Sequence, residues 1–417
     1  MSTNSTDLAR VFRAESGRVL AALLVQCRDI DLAEDALQDA CLQASEQWTD
    51  AYTPDNKGAW LLTVARRRLI DRLRKSSFRN KESTIAKIIS HAPNLDEDEF
   101  LNSEQCQAIP DERLKLIFTC CHPALSDQAR VALTLKTLCG LSVPEIARAY
   151  LVSEIAMNQR ITRAKRKIRD AGIAYEVPGE STLPSRLPSV LSVIYLIYNE
   201  SYTAYEGQSL SREELSNEAV RLVRILFKLL PRPDVAGLLS LILFHQARFR
   251  ARSSTLESYI PLEKQNRNLW DKVKMKEASK ILITAMAKGQ ADTYQLQAAI
   301  SALHSEANSW PETDWIQIQL LYQILFKLSP TPVVALNQAI AVANSGDLNT
   351  ALRTLKELEN SLKGYQPYYA ARADIEAKCG NNEYAKYYYN KAIGLTQNNS
   401  ERDYLVKQRS ELIKCDG

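Results

Sequence analysis

Ser142-Val143-Pro144-Glu145-Ile146-Ala147-Arg148-Ala149-Tyr150, Leu151-Val152, then Ser153-Glu154-Ile155-Ala156-Met157-Asn158-Gln159-Arg160-Ile161-Thr162-Arg163-Ala164-Lys165-Arg166-Lys167-Ile168-Arg169 reads as two helices joined by a tight turn. Ser142 stands three residues ahead of Glu145, the spacing of a capping box, and Ile146, Ala147 and Tyr150 give the first helix an apolar side. Ser153 is placed to cap the second helix. On it Met157, Ile161, Ala164 and Ile168 fall within about 60° of one another at 100° per residue. The opposite arc presents Gln159, Thr162, Arg163, Arg166 and Arg169, flanked by Asn158, Arg160, Lys165 and Lys167. Such a helix fits a DNA major groove, with Gln and Arg suited to base edges and the other cations to phosphates. An ordinary helix pair with a basic, solvated face carries the same pattern.

Ahead of this helix pair, charge is segregated along the chain. Between positions 29 and 50 lie Asp29, Asp31, Glu34, Asp35, Asp39, Glu46 and Asp50 with no basic residue. Leu32, Ala36, Leu37, Ala40, Cys41 and Ala44 follow helical spacing there, so this is an acidic helix with one apolar face. Positions 66–81 reverse the sign, with Arg66, Arg67, Arg68, Arg72, Arg74, Lys75, Arg79 and Lys81 against Asp71 alone. A polar loop, Pro54-Asp55-Asn56-Lys57, and an apolar helix containing Trp60 lead into that basic run. Loop and helix together suit a DNA strand, bases at the loop and phosphates along the helix.

The bulk figures hide this pattern. Lys and Arg total 53 against 49 Asp and Glu, for a net charge of +4, so overall charge does not announce a nucleic-acid binder. Only 13 glycines and 15 prolines in 417 residues favour helices, and the length suggests two or three domains. A hydrophobic share of 45% excludes wholesale disorder, and a collagen-like or small disulfide-stapled chain is excluded as well. No apolar run approaches the roughly 20 residues of a membrane span, and the first ten residues are polar, so a cytoplasmic chain without membrane attachment is expected. Eight cysteines without a CxxC are expected to be reduced thiols. Cys120-Cys121-His122 places three donors too close together to aim at one tetrahedral ion, so buried helix residues are expected there rather than a metal. The four histidines have no Ser, Cys or carboxylate partner at suggestive spacing, and no Gly-rich phosphate loop occurs. Neither an enzyme nor a cofactor is expected.

At the level of motifs the chain resembles bacterial sigma factors of the extracytoplasmic-function type. The carrying residues are Asp31-Leu32-Ala33-Glu34-Asp35-Ala36-Leu37-Gln38-Asp39-Ala40, then Ala59-Trp60-Leu61, Ala65-Arg66 and Asp71-Arg72-Leu73-Arg74. Ile109-Pro110-Asp111-Glu112-Arg113-Leu114-Lys115-Leu116 and Phe118-Thr119-Cys120-Cys121-His122-Pro123-Ala124-Leu125 look like the opening of region 4 in a subgroup with a long C-terminal helical extension. Arg68 departs from the Asn that many members carry, which bears on promoter preference.

The resemblance implies an all-α protein: region 2 over 8–76, an acidic linker over 77–108, a region 4 helix-turn-helix over 109–177, a helical extension over 184–310 and TPR-like repeats over 311–417. It implies that Asp31, Glu34, Asp35, Gln38 and Asp39 dock on the core of bacterial RNA polymerase. The −10 element of promoter DNA would be held by Tyr52, Asn56, Lys57, Trp60, Arg66, Arg67, Arg68, Arg72, Arg74 and Lys75. The −35 element would be read by Ser153, Asn158, Gln159, Arg160, Thr162, Arg163, Lys165, Arg166, Lys167 and Arg169. A stand-alone helix-turn-helix regulator with a TPR sensing domain is the competing reading. The acidic helix joined to an arginine-rich one discriminates, because a simple regulator needs no such docking element.

The C-terminal half carries an internal repeat. Gly346 and Gly380 lie 34 residues apart, as do Ala351 and Ala385 and also Ala339 and Ala373. A 34-residue period with small residues at these points is a tetratricopeptide signature. Eight of the 18 tyrosines follow Lys363. They could line a groove for a peptide or protein ligand, though packing between helices is the favoured reading.

Overall fold

The computed structural model describes residues 3–48, 53–77, 112–150, 152–203, 212–252, 260–289, 291–396 and 399–414. Among the described residues there is no strand. The chain divides into two compact units, the first comprising residues 1–202 and 208–222, the second residues 203–207 and 223–417.

Three helices begin the first unit: α1 (Thr3–Cys27), α2 (Ile30–Gln47) and α3 (Lys57–Ser77). Each packs on the other two. Their core holds Val19, Leu20, Leu23, Ala33, Ala36, Ala40, Leu61, Ala65 and Leu69. Arg28 reverses the chain between α1 and α2 with a φ of 52°, a conformation uncommon outside glycine and asparagine. Asp29 then caps α2, its side chain accepting from the amides of Asp31 (2.9 Å) and Leu32 (3.2 Å).

After the linker come α4 (Arg113–Cys120), α5 (Asp127–Thr137), α6 (Val143–Ala149) and α7 (Glu154–Asp170). The capping box forms as the spacing predicts: the Ser142 amide donates to Glu145 Oε2 (2.7 Å) and the Glu145 amide to Ser142 Oγ (3.4 Å). α1 packs against α4 and α5, so both sigma-like halves share this unit. The approach is close at one point. A Cβ on Gly17 would sit 2.7 Å from the Leu138 carbonyl oxygen, inside any tolerated contact, so only glycine fits there.

α8 (Leu183–Thr203), the first helix of the extension, belongs to the same unit up to Tyr202. Its side chains satisfy carbonyls that α4 leaves without partners: Arg186 donates to the Phe118 oxygen and Ser189 to that of Cys121, each at 2.9 Å. The division between units falls within α9 (Arg212–Leu229). The capping box expected at Ser211 lies outside the described residues.

In the second unit α10 (Pro233–Ala247), α11 (Lys272–Met286) and α12 (Thr293–Glu306) pack on one another. Gly237 lets α10 meet α12 closely: an added Cβ would lie 2.7 Å from Gln295 Cγ. α13 (Trp315–Leu328) leads into two helix pairs, α14 (Pro332–Asn344) with α15 (Leu348–Leu358), and α16 (Gln366–Lys378) with α17 (Asn382–Leu395). Adding 34 to the first residues of α14 and α15 gives those of α16 and α17. The glycines fall in the turns with φ of 106° and 80°, where an L side chain would be strained. Ala339, Ala351, Ala373 and Ala385 are almost fully buried, so the small residues set the helix spacing. α18 (Asn399–Lys414) packs on α17.

Candidate functional site

The acidic helix is a two-faced element. Ala33, Ala36, Leu37, Ala40 and Ala44 are buried, while Asp31, Asp35 and Gln38 are exposed and Glu34 and Asp39 half-buried. Leu42 falls amid that polar arc and is 57% exposed. A large apolar side chain ringed by carboxylates is the anatomy of an interface anchor. Sequence reasoning passed over it, although a leucine out of register with the apolar face was the available signal.

α3 lies alongside α2 and is tied to it by charge. Arg72 Nη2 pairs with Asp39 Oδ2 (2.7 Å) and Nη1 with Asp35 Oδ2 (3.0 Å). The hydrogen bond it donates to Asp39, then the charge of the two carboxylates, holds the Arg72 guanidinium pKa above its ordinary value. Arg68 Nη2 donates to Gln43 Oε1 at 3.0 Å. Asn56 caps α3 by accepting from the Ala59 amide (3.0 Å). Lys57 and Arg67 are half-buried, and Arg68 and Arg74 exposed. Burial lowers the Arg66 pKa.

Trp60 requires a correction. It is only 3% exposed and packs edge-on against Trp48 at 5.3 Å, with Phe12 beyond at 6.0 Å from Trp48. The end of α2 delivers Trp48 onto the start of α3, and the indole becomes core instead of a platform for a base. Tyr52 and the Lys75 side chain lie outside the described residues.

α7 shows the arc that its spacing predicts. Met157, Ile161, Ala164 and Ile168 are buried; Asn158, Gln159, Thr162, Arg163, Arg166, Lys167 and Arg169 are exposed, and Arg160 is half-buried. Ser153 Oγ accepts from the Ala156 amide (3.2 Å), capping the helix with its N-terminal turn open to solvent. Arg163 Nη2 rests on Gln159 Oε1 one turn back (3.2 Å), so two candidate base-reading groups support each other.

Lys165 departs from this arrangement. Its side chain is 12% exposed, and Nζ lies 2.9 Å from Asp31 Oδ1 and 2.8 Å from Glu34 Oε2. Arg169 approaches Asp31 at 3.8 Å. Burial works against the Lys165 charge, but the Glu34 and Asp31 carboxylates outweigh it and raise the pKa. A contact between positions 134 apart leaves no trace in local spacing. The structure thus brings together two residues expected to face DNA, Lys165 and Arg169, and two expected to face polymerase, Asp31 and Glu34.

The Cys120-Cys121-His122 cluster and the C-terminal tyrosines have plain structural settings. The Cys120 thiol contacts Thr137 Oγ1 (3.2 Å) and that of Cys121 contacts Thr134 Oγ1 (3.6 Å). Burial pushes the Cys121 pKa up to about 11. Nδ1 of His122 accepts from the Ala124 amide (3.1 Å). Among the described residues no group of three His, Cys, Asp or Glu is placed to hold a metal, and no helix is long and apolar enough to cross a membrane. In the repeats, Tyr368, Tyr369, Tyr388 and Tyr389 are buried between helices, whereas Tyr384 and Tyr387 are exposed. The Lys391 ammonium lies 4.6 Å from the Tyr387 ring centre.

A helix-turn-helix with a basic outer face, sharing one unit with an acidic helix and an arginine-rich one, defines a DNA-binding protein of transcription initiation. Comparison with known proteins is more particular. The family "Sigma-70 region 2" matches residues 11–79, "Sigma-70, region 4" matches 115–168, and a family of unknown function, DUF6596, matches 186–286. An uncharacterized protein of Rhizobium meliloti (strain 1021) is 38% identical over 411 residues, 98% of this chain and 96% of the relative. The ECF RNA polymerase sigma factor SigK of Mycobacterium tuberculosis (strain ATCC 25618 / H37Rv) is 29% identical over 166 residues, 39% of this chain and 83% of the relative. SigK of Mycobacterium bovis (strain BCG / Pasteur 1173P2) aligns to the same extent. The chain belongs to the extracytoplasmic-function sigma factors of RNA polymerase, in a form with a C-terminal helical extension. Its function is therefore that of a sigma factor in promoter-directed initiation, and the stand-alone regulator is not favoured. Members of such families bind polymerase core and promoter DNA, and are not themselves enzymes.

Proposed function

We propose that the two faces of the first unit divide the work of a sigma factor. The outward arc of α2 (Asp31, Glu34, Asp35, Gln38, Asp39, now with Leu42) docks on a basic surface of the polymerase core. Opposite potentials there favour encounter and register more than raw affinity. The loop before α3, with Asn56, Lys57 and the arginines of α3, takes the opened −10 strand. Ser153, Asn158, Gln159, Arg160, Thr162, Arg163, Arg166, Lys167 and Arg169 of α7 meet the −35 duplex, with Lys165 joining them once released from Asp31 and Glu34. The working divisions are 8–76, 77–108, 109–177, 184–310 and 311–417. The chain acts in the cytoplasm, and the polymerase performs the chemistry. The repeats of the second unit, with Tyr384, Tyr387 and Lys391 outward, present a surface to a peptide or protein ligand.

The observation carrying this reading is α7 itself: a capped helix with four buried apolar residues behind an exposed Gln159, Thr162, Arg163, Arg166 arc. Run-off transcription over a genomic library with purified core polymerase tests it. Initiation at a defined set of promoters is expected; a complete lack of initiation would remove the proposal.

A further inference from the structure

In the second unit α13 is apolar on two faces. Ile318 and Leu325 are buried with Leu296, Ile300 and Ala341. A second row, Ile316, Leu320, Ile324 and Leu328, runs at intervals of four along the solvent side. Ile316 is 69% exposed and the other three are each about half exposed. The outer side of a helix in a soluble domain ordinarily carries polar and charged groups, and a helix apolar all round is ordinarily buried. Four large aliphatic side chains in a row make a contiguous patch on the order of a few hundred Å², the size that marks an interaction surface. Rows spaced by four are also the ridges that interdigitate when helices pack. Gln317 and Gln323, beside the row, are exposed and uncharged, and the one charged side chain of α13 is Lys327 in its last turn.

The two ends of α13 differ in charge. Asp314 caps its start, Oδ1 accepting from the Gln317 amide at 2.8 Å. Glu312 stands just before, accepting from Ser309 Oγ (2.7 Å) and Asn308 Nδ2 (3.2 Å), bonds that lower its pKa and keep it charged. Both acids and Lys327 are exposed. A helix with an acidic entry, a basic exit and an apolar row between them is complementary to its own copy turned end for end. Turned so, Ile316 meets Leu328 of the second copy, and Leu320 meets its Ile324. Lys327 then falls opposite Gln317 of the second copy, about one turn from its Asp314 and within reach of the lysine's four-carbon stem. A parallel pairing would set Lys327 beside Lys327 and the acids beside the acids. A partner surface of one sign would match one end of α13 and repel the other.

We propose that two copies of this chain associate through α13, in a two-fold antiparallel pairing of the row formed by Ile316, Leu320, Ile324 and Leu328. The contact is smaller than the roughly 800 Å² that each partner gives to a standard stable interface, so the dimer is weak, with a Kd on the order of 10 µM. The residues assigned to polymerase and promoter all belong to the first unit, and the pairing uses none of them.

Sedimentation velocity of the full-length protein between about 1 and 100 µM measures the association. The wild type is expected to pass from monomer to dimer across that range. Leu320→Glu and Ile324→Lys each bring an unpaired charge into the contact and are expected to weaken the dimer at least about tenfold. Both side chains are already about half exposed, and thermal melts confirm that the variants fold. The double variant Leu320→Glu/Ile324→Lys reads the direction of pairing. End-for-end pairing sets each glutamate opposite a lysine of the second copy and restores the dimer, whereas parallel pairing opposes like charges and does not. Lys327→Glu leaves the row intact and is expected to weaken the dimer about threefold at low salt, less as salt rises. A wild type that stays monomeric at about 100 µM leaves the row to a different partner and overturns the proposal. A dimer that both single variants leave intact places the contact elsewhere and overturns it as well. A double variant that stays dissociated, or a Lys327→Glu protein that associates like the wild type, overturns the antiparallel pairing.

Discussion

Arg163 and Arg166 are ordinary surface side chains by every local measure, and their meaning comes from what lies behind them. The buried Met157, Ile161, Ala164 and Ile168 fix the rotation of α7, so these two arginines project outward by construction. Arg163→Ala and Arg166→Ala are each expected to weaken promoter binding by about 1–3 kcal/mol, roughly 5- to 150-fold, without changing core binding. Filter-binding titrations of reconstituted holoenzyme check this. On α2, Leu42→Ala is expected to weaken core binding by about 1 kcal/mol or more, read by fluorescence anisotropy. The α7 arc was readable from sequence because helical periodicity is local. Lys165 was not, since it sits at the edge of the same arc and only a contact 134 positions away separates it from its neighbours. Trp60 misled for a related reason: an indole before a basic run looks available until the end of α2 covers it.

At the scale of elements, helices with strong caps and short repeats were recovered with little change. The 34-residue spacing of the turn glycines and small residues recurs in the starts of the α14–α17 helices, because a repeated period repeats its own geometry. α8 was harder. Its apolar face is visible, but its role in covering α4 through Arg186 and Ser189 depends on tertiary contact. A chain ending after Val177 should therefore melt lower than one ending after Thr203, since burial of Leu187, Val190, Leu191 and Ile194 is lost at roughly 1.5–3 kcal/mol for each fully buried side chain. Equal melting temperatures would contradict the structural role of α8.

In the second unit, α12 carries His304 stacked on Trp310 (5.8 Å between ring centres), and burial lowers its pKa from 6.5 to about 3. His245, bonded to Ser301 at 3.2 Å, is lowered likewise by burial. Between pH 6.5 and about 3 the unfolded chain binds a proton at His304 that the folded chain refuses. Stability is thus full above pH 6.5 and falls on acidification by about 1.4 kcal/mol per pH unit for such a histidine. Urea unfolding followed by tryptophan fluorescence at pH 7.5 and 5 should show the loss, and His304→Gln should flatten it; an unaltered pH dependence in that variant would assign the loss elsewhere.

For the whole molecule, a net charge of +4 conceals a division of labour. An acidic α2 stands in one unit with a basic α3 and a basic α7, and the opposition is physical, since Arg72 and Lys165 both reach across to α2. The all-helical class and the two sigma regions followed from local pattern. That both regions share one compact unit required the folded chain. The central claim is that docking and promoter reading reside on separate helices of that unit. Its most direct measurement is the affinity of the double variant Arg163→Ala/Arg166→Ala, determined in parallel for polymerase core alone and, as holoenzyme, for a promoter obtained by run-off selection. The account predicts wild-type affinity for core and a loss of at least about tenfold on the promoter; a parallel loss on core, or an unweakened promoter complex, would contradict it.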